Sequence, residues 1–276
     1  MRPALHPLFS SLDCGISEFA FANIYLFREA HAYGISRLKD NLLVITGSDN
    51  GKSFFMLPFG LPGKDTLNRL FERFSSMKCV SEEMAGRLKG LGCNIMEDRD
   101  NFDYIYSREE MASLSGRKFH RRKNLVNAFM ANHSCEARPL LEEYRGDALA
   151  LLDRWRRERG ALHASGGDYA AAKEALERMD TLQLCGGIYY VEGRPAAYTL
   201  GEELGGGKTF AIHFEKGVGE YKGLMQFVSQ AFASILPEKY GHINREQDLG
   251  IEGLRKAKLA LRPSGFVRKY RAGKAA

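Results

Sequence analysis

The residues of this sequence best suited to chemistry lie together between positions 242 and 258. A short apolar segment at 240–243 leads into Asn, Arg, Glu, Gln and Asp at 244–248, and a helical pattern follows. Main-chain N–H groups at a helix start have no partner within the helix, so converging polar side chains there can form a ligand site. Two interpretations stay open: a site at the helix start, or an N-cap by Asn244 or Asp248 before a solvated helix.

Several acidic or imidazole groups near this junction could take a proton from an attacking amine, as N-acyl transfer requires. The candidate catalytic residues are Asp248, Glu246 and His213, and Glu215 is a further eligible group. Alternation along residues 208–215 predicts that His213 and Glu215 share one face of a strand. The alternatives are that Asp248 only caps a helix and that His213 is a hydrogen-bonded strand residue. If Asp248 only caps, Asp248→Asn should preserve both stability and activity.

The same strand ends in a glycine-containing turn, and a helix is predicted to start at once. Glycines allow N–H groups to point outward, and the helix start adds partial positive charge, so a pyrophosphate or an RNA phosphate could bind there. A turn of this kind is also common without any ligand. The predicted binding residues of the turn are Lys216, Gly217, Gly219, Tyr221, Lys222 and Gly223.

A basic segment at 117–123 begins another predicted helix. Positive charges near a helix N-terminus oppose the macrodipole by ~0.3–1 kcal/mol each, and bound phosphates would offset that cost. The alternative is a solvated face, or pairing with Glu109 and Glu110. The predicted anion-binding cations are Arg117, Arg121, Arg122, Arg255 and Lys258, and Asn244 and Arg245 complete the predicted binding set. On the last helix, Leu254 is predicted to lie on a different face from the basic residues.

Composition limits the classes of protein that fit. The chain has 276 residues, 44% of them hydrophobic, and a formal net charge of +6, which favours an anionic partner. Its 5 cysteines are scattered, with no spacing typical of a metal site, which predicts reduced thiols and a cytoplasmic location. The sequence contains no secretory signal pattern and no apolar run of the ~18 residues that a membrane span requires.

The order of predicted elements is most informative in the second half. Two helices precede three antiparallel strands, and then a helix, a strand, a helix and a last strand at 266–271 follow. Gly193 and the glycines at 205–207 predict the two hairpin turns. In the first half, a hairpin is predicted around 47–52, helices at 66–77 and after Ser81, and a strand at 102–106 before a capping box that starts at Ser107.

Three segments carry a resemblance to a known family. They are residues 242–258, Phe-His-Arg-Arg-Lys-Asn at 119–124, and Glu-Lys-Gly at 215–217 followed by Tyr-Lys-Gly at 221–223. Through these segments the sequence resembles the family related to the phosphatidylglycerol lysyltransferase C-terminal domain. That family resembles two GNAT-type domains in tandem. The resemblance implies an α/β fold with two mixed sheets, divided into domains at 1–135 and 136–276.

The resemblance also implies a reaction. The donor would be an aminoacyl-tRNA, and the protein would move its aminoacyl group to an amine or hydroxyl acceptor. One alternative is an acyl-CoA-dependent N-acyltransferase, and another is a module without catalytic activity that binds an anionic polymer or surface. The expected partner is an anionic donor, tRNA or CoA, with peripheral contact to anionic lipid as a further expectation. No metal and no other cofactor is predicted.

Overall fold

The computed structural model describes residues 2–39, 41–159 and 166–274. Its helices are α1 (Arg2–Ser10), α2 (Phe21–Leu26), α3 (Lys64–Arg73), α4 (Glu82–Gly90), α5 (Arg108–Ser113), α6 (His120–Asn132), α7 (Arg145–Arg159), α8 (Gly166–Glu177), α9 (Met179–Leu182), α10 (Leu224–Ile235) and α11 (Glu252–Ala260). Its strands are β1 (Gly34–Arg37), β2 (Leu43–Asp49), β3 (Lys52–Met56), β4 (Ser76–Val80), β5 (Asn94–Glu97), β6 (Asp103–Ser107), β7 (Cys135–Pro139), β8 (Cys185–Val191), β9 (Arg194–Leu204), β10 (Thr209–Gly217), β11 (His242–Asn244), β12 (Gly265–Val267) and β13 (Tyr270–Gly273). Among the described residues, no helix combines the length and apolar character needed to cross a lipid bilayer.

The first sheet has six strands in the order β1-β2-β3-β4-β13-β5. Strands β1, β2 and β3 are antiparallel neighbours, β3 and β4 are parallel, and β13 runs antiparallel to both β4 and β5. The β2–β3 turn is Asn50-Gly51, with φ angles of 49° and 76°. Positive φ at both positions matches the right-handed twist of a two-residue hairpin, and it confirms the predicted hairpin.

The second sheet has seven strands in the order β12-β6-β11-β10-β9-β8-β7. Strands β7 to β10 are antiparallel in succession, and β11 is parallel to β10 and antiparallel to β6. The three predicted antiparallel strands are therefore confirmed as β8, β9 and β10. Strand β7 was not predicted, since its five residues Cys-Glu-Ala-Arg-Pro include no β-branched or aromatic side chain and end in proline.

The two sheets share one arrangement. A helix connects two parallel neighbouring strands, β3 and β4 through α3 in the first sheet and β10 and β11 through α10 in the second. A strand from a distant segment of the chain then pairs with the second of them. That added strand is β13 in the first sheet and β6 in the second. The chain forms two compact units: residues Met1–Tyr104, Glu246–Leu261 and Gly265–Ala276, and residues Ile105–Arg245 with Arg262–Ser264. The predicted division at residue 135 does not coincide with these units, because distant segments of the chain contribute to each of them.

The core of the first unit explains one error in the predicted elements. Val44, Phe55 and Met77 come from three neighbouring strands, and all are buried together with Leu67 of α3. Removing a buried aromatic side chain such as Phe55 costs about 3–5 kcal/mol. The predicted helix at 66–77 extends too far, because α3 ends at Arg73 and Met77 fills the core from β4.

A buried lysine holds the C-terminal segment in the first unit. Lys269 is fully buried and donates to Glu18 and, at 2.7 Å, to Asp103. Asp103 also accepts hydrogen bonds from the main-chain N–H and the hydroxyl of Ser17, both at 2.9 Å. The residues on either side of Lys269 belong to β12 and β13, which lie in different sheets. The single strand predicted at 266–271 is therefore two short strands.

Candidate active site

The turn after β11 has an unusual backbone. Glu246, Leu249 and Gly250 have positive φ angles of 57°, 54° and 74°. Side chains disfavour this conformation, and such residues are concentrated at functional sites. Asp248 helps to hold the turn by accepting the N–H of Gly250 at 2.9 Å. The predicted N-cap is wrong, because α11 begins after Ile251 without a side-chain cap, and Asn244 lies within β11.

Asp248 is the centre of a buried hydrogen-bond cluster in the first unit. Its carboxylate accepts Arg255 Nε at 2.8 Å and Arg255 Nη2 at 2.7 Å, Tyr104 Oη at 2.5 Å and Arg99 Nη1 at 3.3 Å. Burial by itself favours the neutral acid, but the hydrogen bonds from Arg255 and Tyr104 outweigh it and lower the pKa of Asp248 to about 2. A carboxylate stabilised in this way is a poor general base at neutral pH, and its contacts suit it to positioning the turn.

Glu246 is better placed than Asp248 to accept a proton. It is half-buried, and its Oε1 accepts a hydrogen bond from Asn23 Nδ2 at 2.9 Å. Its main-chain carbonyl accepts the N–H of Tyr104 at 3.1 Å and Lys258 Nζ at 3.2 Å. Two hydrogen bonds to its carbonyl therefore hold the left-handed backbone of Glu246, and Asn23 orients its carboxylate.

The two predicted cations of α11 point into this cluster and not away from it. Arg255 pairs with Asp248 and also with Asp100, at 2.7 Å from each. Lys258 donates to the Glu246 carbonyl and lies 5.7 Å from the centre of the Tyr104 ring. The alternative of a solvated basic face is therefore wrong for these two residues. Arg255 and Lys258 are partly buried, whereas Leu254 is 37% exposed.

His213 lies in the second unit and is enclosed there. Its side chain is 1% exposed, and Nε2 lies 3.0 Å from Oε1 of Glu202, which is also buried. The pairing of β10 with β9 shifts register between Ile212 and Phe214, so His213 occupies a β-bulge. A bulge adds one residue to a strand, which ends the alternation that placed His213 and Glu215 on one face. The contacts of His213 are those of a hydrogen-bonded strand histidine.

Strand β10 extends past the end of β11. The two strands pair only from Thr209 to Ala211, yet β10 continues to Gly217. Arg245, directly after β11, donates to Glu215 Oε1 at 2.6 Å and to Ser229 Oγ at 2.9 Å. In the described part of the chain, no strand pairs with this side of β10 past residue 211. Main-chain groups along such an edge can bind an extended ligand.

The glycine turn at the end of β10 is occupied by the protein's own charges. Lys216 pairs with Asp168 at 2.5 Å and lies 4.2 Å from the centre of the Trp155 ring. The N–H of Gly219 donates to Glu158 Oε2 at 3.0 Å. A carboxylate therefore already binds where an anionic ligand was predicted. A phosphate could use this turn only by displacing Glu158.

The other predicted residues of this turn have separate roles. A Cβ at Gly217 would lie 2.4 Å from the sulfur of Met225, so the strand end packs closely on α10. Gly223 has a φ of 95° and is the N-cap of α10, which therefore begins at Leu224, later than predicted. The ring of Tyr221 packs on His133 with centroids 5.1 Å apart, and Lys222 is exposed.

The basic residues at 117–123 differ in how far they are buried. Arg117 and Arg121 are exposed, as is Lys118, which pairs with Glu110 at 2.5 Å. Arg122 is 7% exposed and has no hydrogen-bond partner for its guanidinium among the described residues. The predicted set of anion-binding cations therefore contains two exposed members here, one buried arginine, and two cations of α11 that already have partners.

Sequence reasoning missed the residues that hold the candidate catalytic groups. Tyr104 and Arg99 bind Asp248, Asn23 binds Glu246, and Ser229 links Glu215 to Arg245. Asn23 and Glu246 are 223 positions apart, so no local pattern could have paired them. The described residues contain no group of three or more His, Cys, Asp or Glu side chains able to hold a metal.

Comparisons with known proteins identify a matching family and solved structures with a similar fold. Residues 9–273 match the family described as phosphatidylglycerol lysyltransferase, C-terminal. A conserved protein of unknown function from Bacteroides thetaiotaomicron is 29% identical, with a TM-score of 0.88 over 98% of this chain and 96% of its own. The C-terminal domain of a candidate lysylphosphatidylglycerol synthetase from Agrobacterium fabrum is 12% identical, with a TM-score of 0.63 over 95% and 89%.

A tandem GNAT protein from the clavulanic acid biosynthesis pathway is also similar. It is 12% identical, with a TM-score of 0.50 over 89% of this chain and 84% of its own. A comparison with curated protein sequences gives no match. The structural likenesses at low identity concern the fold, which is a mixed α/β architecture of the tandem GNAT type with two mixed sheets.

Proposed function

Because this chain belongs to the family of phosphatidylglycerol lysyltransferase C-terminal domains, we propose that it is an aminoacyltransferase. The proposed reaction moves an aminoacyl group from aminoacyl-tRNA to an amine or hydroxyl acceptor. The ester bond to the tRNA breaks, and the carbonyl carbon forms a new bond to the acceptor. The proton lost by the acceptor passes to a base and leaves with the tRNA oxygen, so no covalent enzyme intermediate is needed.

The observation that carries this proposal is the stretch of β10 beyond Ala211, which continues to Gly217 after β11 has ended. An acyl donor needs an extended binding edge and N–H donors for the oxyanion that develops on its carbonyl. Past residue 211, the side of β10 that pairs with no described strand offers main-chain groups of this kind. Glu246 of the first unit is proposed as the base on the geometry of its own turn, which Asp248 positions through Arg255 and Tyr104.

The exposed basic residues at the start of α6 support a nucleic-acid donor. Arg117 and Arg121 are exposed at a helix N-terminus, where their charges oppose the helix macrodipole. Phosphates bound there would remove this unfavourable term and release counterions, so binding would weaken steeply with salt. Arg255 and Lys258 are left out of this surface, because both are engaged with the Asp248 turn.

The reaction can be tested by following the loss of labelled aminoacyl-tRNA. Purified protein is incubated with charged tRNA, with phosphatidylglycerol vesicles or a small amine as acceptor, and labelled product is measured against spontaneous hydrolysis. We expect transfer by the wild type, and a decrease of roughly 10²–10⁴-fold for Glu246→Gln, in which the base is lost. Consumption of acetyl-CoA without any consumption of aminoacyl-tRNA would instead support the acyl-CoA reaction. Tight tRNA binding without turnover would support a module that only binds.

An exposed apolar surface on and just before α11 favours a lipid acceptor. Leu249, Ile251 and Leu254 are 60%, 54% and 37% exposed around the start of α11, and Leu259 near its end is 42% exposed. Exposed apolar side chains on a helix that also carries Lys256 suit the interface of an anionic bilayer. Vesicle co-sedimentation should show binding that falls when Ile251 and Leu254 are replaced by Asn. Equal binding by wild type and variant would exclude this surface.

A further inference from the structure

Arg122 enters the interior of the second unit from an otherwise apolar helix face. It lies one turn before Val126 and two turns before Phe129, and all three residues are buried. Val126 belongs to the same apolar cluster as Phe119, against which Phe227 of α10 packs. The guanidinium of Arg122 is thus carried into a low-dielectric environment by the packing of α6.

No hydrogen bond compensates this burial. Among the described residues, Nε, Nη1 and Nη2 of Arg122 are all buried and all lack a partner. A guanidinium has five N–H donors, and a buried charge without a partner costs several kcal/mol. The neighbouring charges do not neutralise it. Arg245 is repulsive, and Glu215 is already hydrogen-bonded to Arg245 and Ser229.

The charges of this cluster are out of balance by one. The buried guanidinium of Arg122 and that of Arg245, whose side chain is 13% exposed, lie near one carboxylate, Glu215, so positive charge exceeds negative charge by one among these described groups. Burial and the field of Arg245 accordingly lower the pKa of Arg122 to about 10, so it stays charged at neutral pH. A single bound negative charge would restore the balance.

A second unpaired donor lies in the same part of the unit. The hydroxyl of Tyr189 on β8 is buried and, among the described residues, makes no hydrogen bond of normal geometry, although the Thr199 hydroxyl lies near it. Burial and then the nearby Glu215 raise the pKa of this phenol, and Thr199 lowers it. The Tyr189 ring packs on Phe227, whose ring contacts Phe129 of α6 with centroids 5.2 Å apart. Glu215 acts electrostatically on both Tyr189 and Arg122, so both groups lie near the same carboxylate.

We propose that Arg122, supported by the Tyr189 hydroxyl, binds a singly charged oxyanion group of a ligand inside the second unit. The shared chemistry is a carboxylate or a phosphate group, either of which can accept two parallel N–H donors from a guanidinium. This subsite is distinct from the exposed cations of α6, since a buried guanidinium binds one group and not a polyanionic surface. It does not rest on the proposed transfer reaction, because its test measures binding.

The test is thermal unfolding in Tris chloride buffer free of oxyanions, with acetate, inorganic phosphate or glycerol 3-phosphate added at constant ionic strength. Binding to the folded state raises the melting temperature with ligand concentration. We expect wild type to be stabilised by at least one probe, and Arg122→Met to lose that response. Without oxyanion, Arg122→Met should melt at or above wild type, because the change removes an uncompensated buried charge.

Arg157→Met is the matched control, since it removes the same group from an exposed position of another helix, α7, in the same unit. It should keep the response of wild type, and Arg122→Lys should show a weaker one because an ammonium cannot bind two acceptors side by side. The acetate and phosphate arms distinguish a carboxylate ligand from a phosphate ligand. Equal responses in all four proteins, no response in wild type, or an Arg122→Met protein that melts well below wild type or fails to fold would each overturn the proposal.

Discussion

Replacing Asp248 by Asn tests whether a buried carboxylate holds the turn after β11. The side chain keeps its size, but one acceptor oxygen becomes an NH₂ group. Asp248 accepts hydrogen bonds from Gly250, Tyr104, Arg99 and two nitrogens of Arg255, so the variant would bring donors against donors. The sequence alone predicted an unchanged stability, because Asn caps a helix about as well as Asp. The structure predicts that Asp248→Asn lowers the free energy of unfolding.

The magnitude follows from the pKa. Lowering the pKa of Asp248 from 3.8 to about 2 corresponds to about 2.5 kcal/mol, at about 1.36 kcal/mol per pKa unit. Because the pKa is lower in the folded state, this contribution is fully present above the unfolded pKa, near pH 4. It disappears as the pH falls toward 2. Wild type should therefore lose more stability than the variant between pH 5 and pH 2, and the two should converge in acid.

The assay is urea unfolding followed by far-UV circular dichroism at pH 7 and at several acid pH values. Asp100→Asn is the matched control, since Asp100 pairs with the same Arg255 but its side chain is 59% exposed. An exposed ion pair contributes about 0–1 kcal/mol, so this variant should unfold close to wild type. If Asp248→Asn were as stable as Asp100→Asn at pH 7, the buried cluster would not stabilise the turn and this reasoning would fail.

Three further predictions concern the base, the backbone and the basic surface. Glu246→Gln should unfold within about 0.5 kcal/mol of wild type yet transfer roughly 10²–10⁴-fold more slowly, and full activity in stopped assays would exclude Glu246 as the base. Gly223→Ala should cost roughly 1–3 kcal/mol, because φ is 95° and the added Cβ would lie 2.6 Å from a main-chain oxygen; Gly219→Ala, whose nearest atom is 3.9 Å away, should be tolerated in the same melts. Replacing Arg117 and Arg121 by Ala should reduce the salt slope of tRNA binding by about 0.7–0.9 for each phosphate that is no longer neutralised, and filter binding that gives an unchanged slope would show these cations to be merely solvated.

Local chemistry explains the elements that could be predicted. Ser81 and Ser107 accept the N–H groups of Met84 and Glu110 at the predicted helix starts. The turn at Asn50-Gly51 has the predicted hairpin form. Each of these features depends on residues within a few positions of one another, so the sequence contains the relevant information directly.

The sequence by itself determined the three antiparallel strands β8 to β10 and the hairpin at Asn50-Gly51, the presence of acidic and basic side chains after β11, and the family resemblance. Only the tertiary structure decided what those side chains do. It joins Asp248 to Tyr104 across 144 positions, places His213 in a bulge, and buries Arg122 while its neighbour Arg121 stays in solvent. The physical reason is that burial and long-range hydrogen bonds determine the pKa of a polar group and decide which of its hydrogen-bond donors lack a partner. Those quantities depend on strands brought together from distant parts of the chain, and a residue's type and local spacing do not specify them.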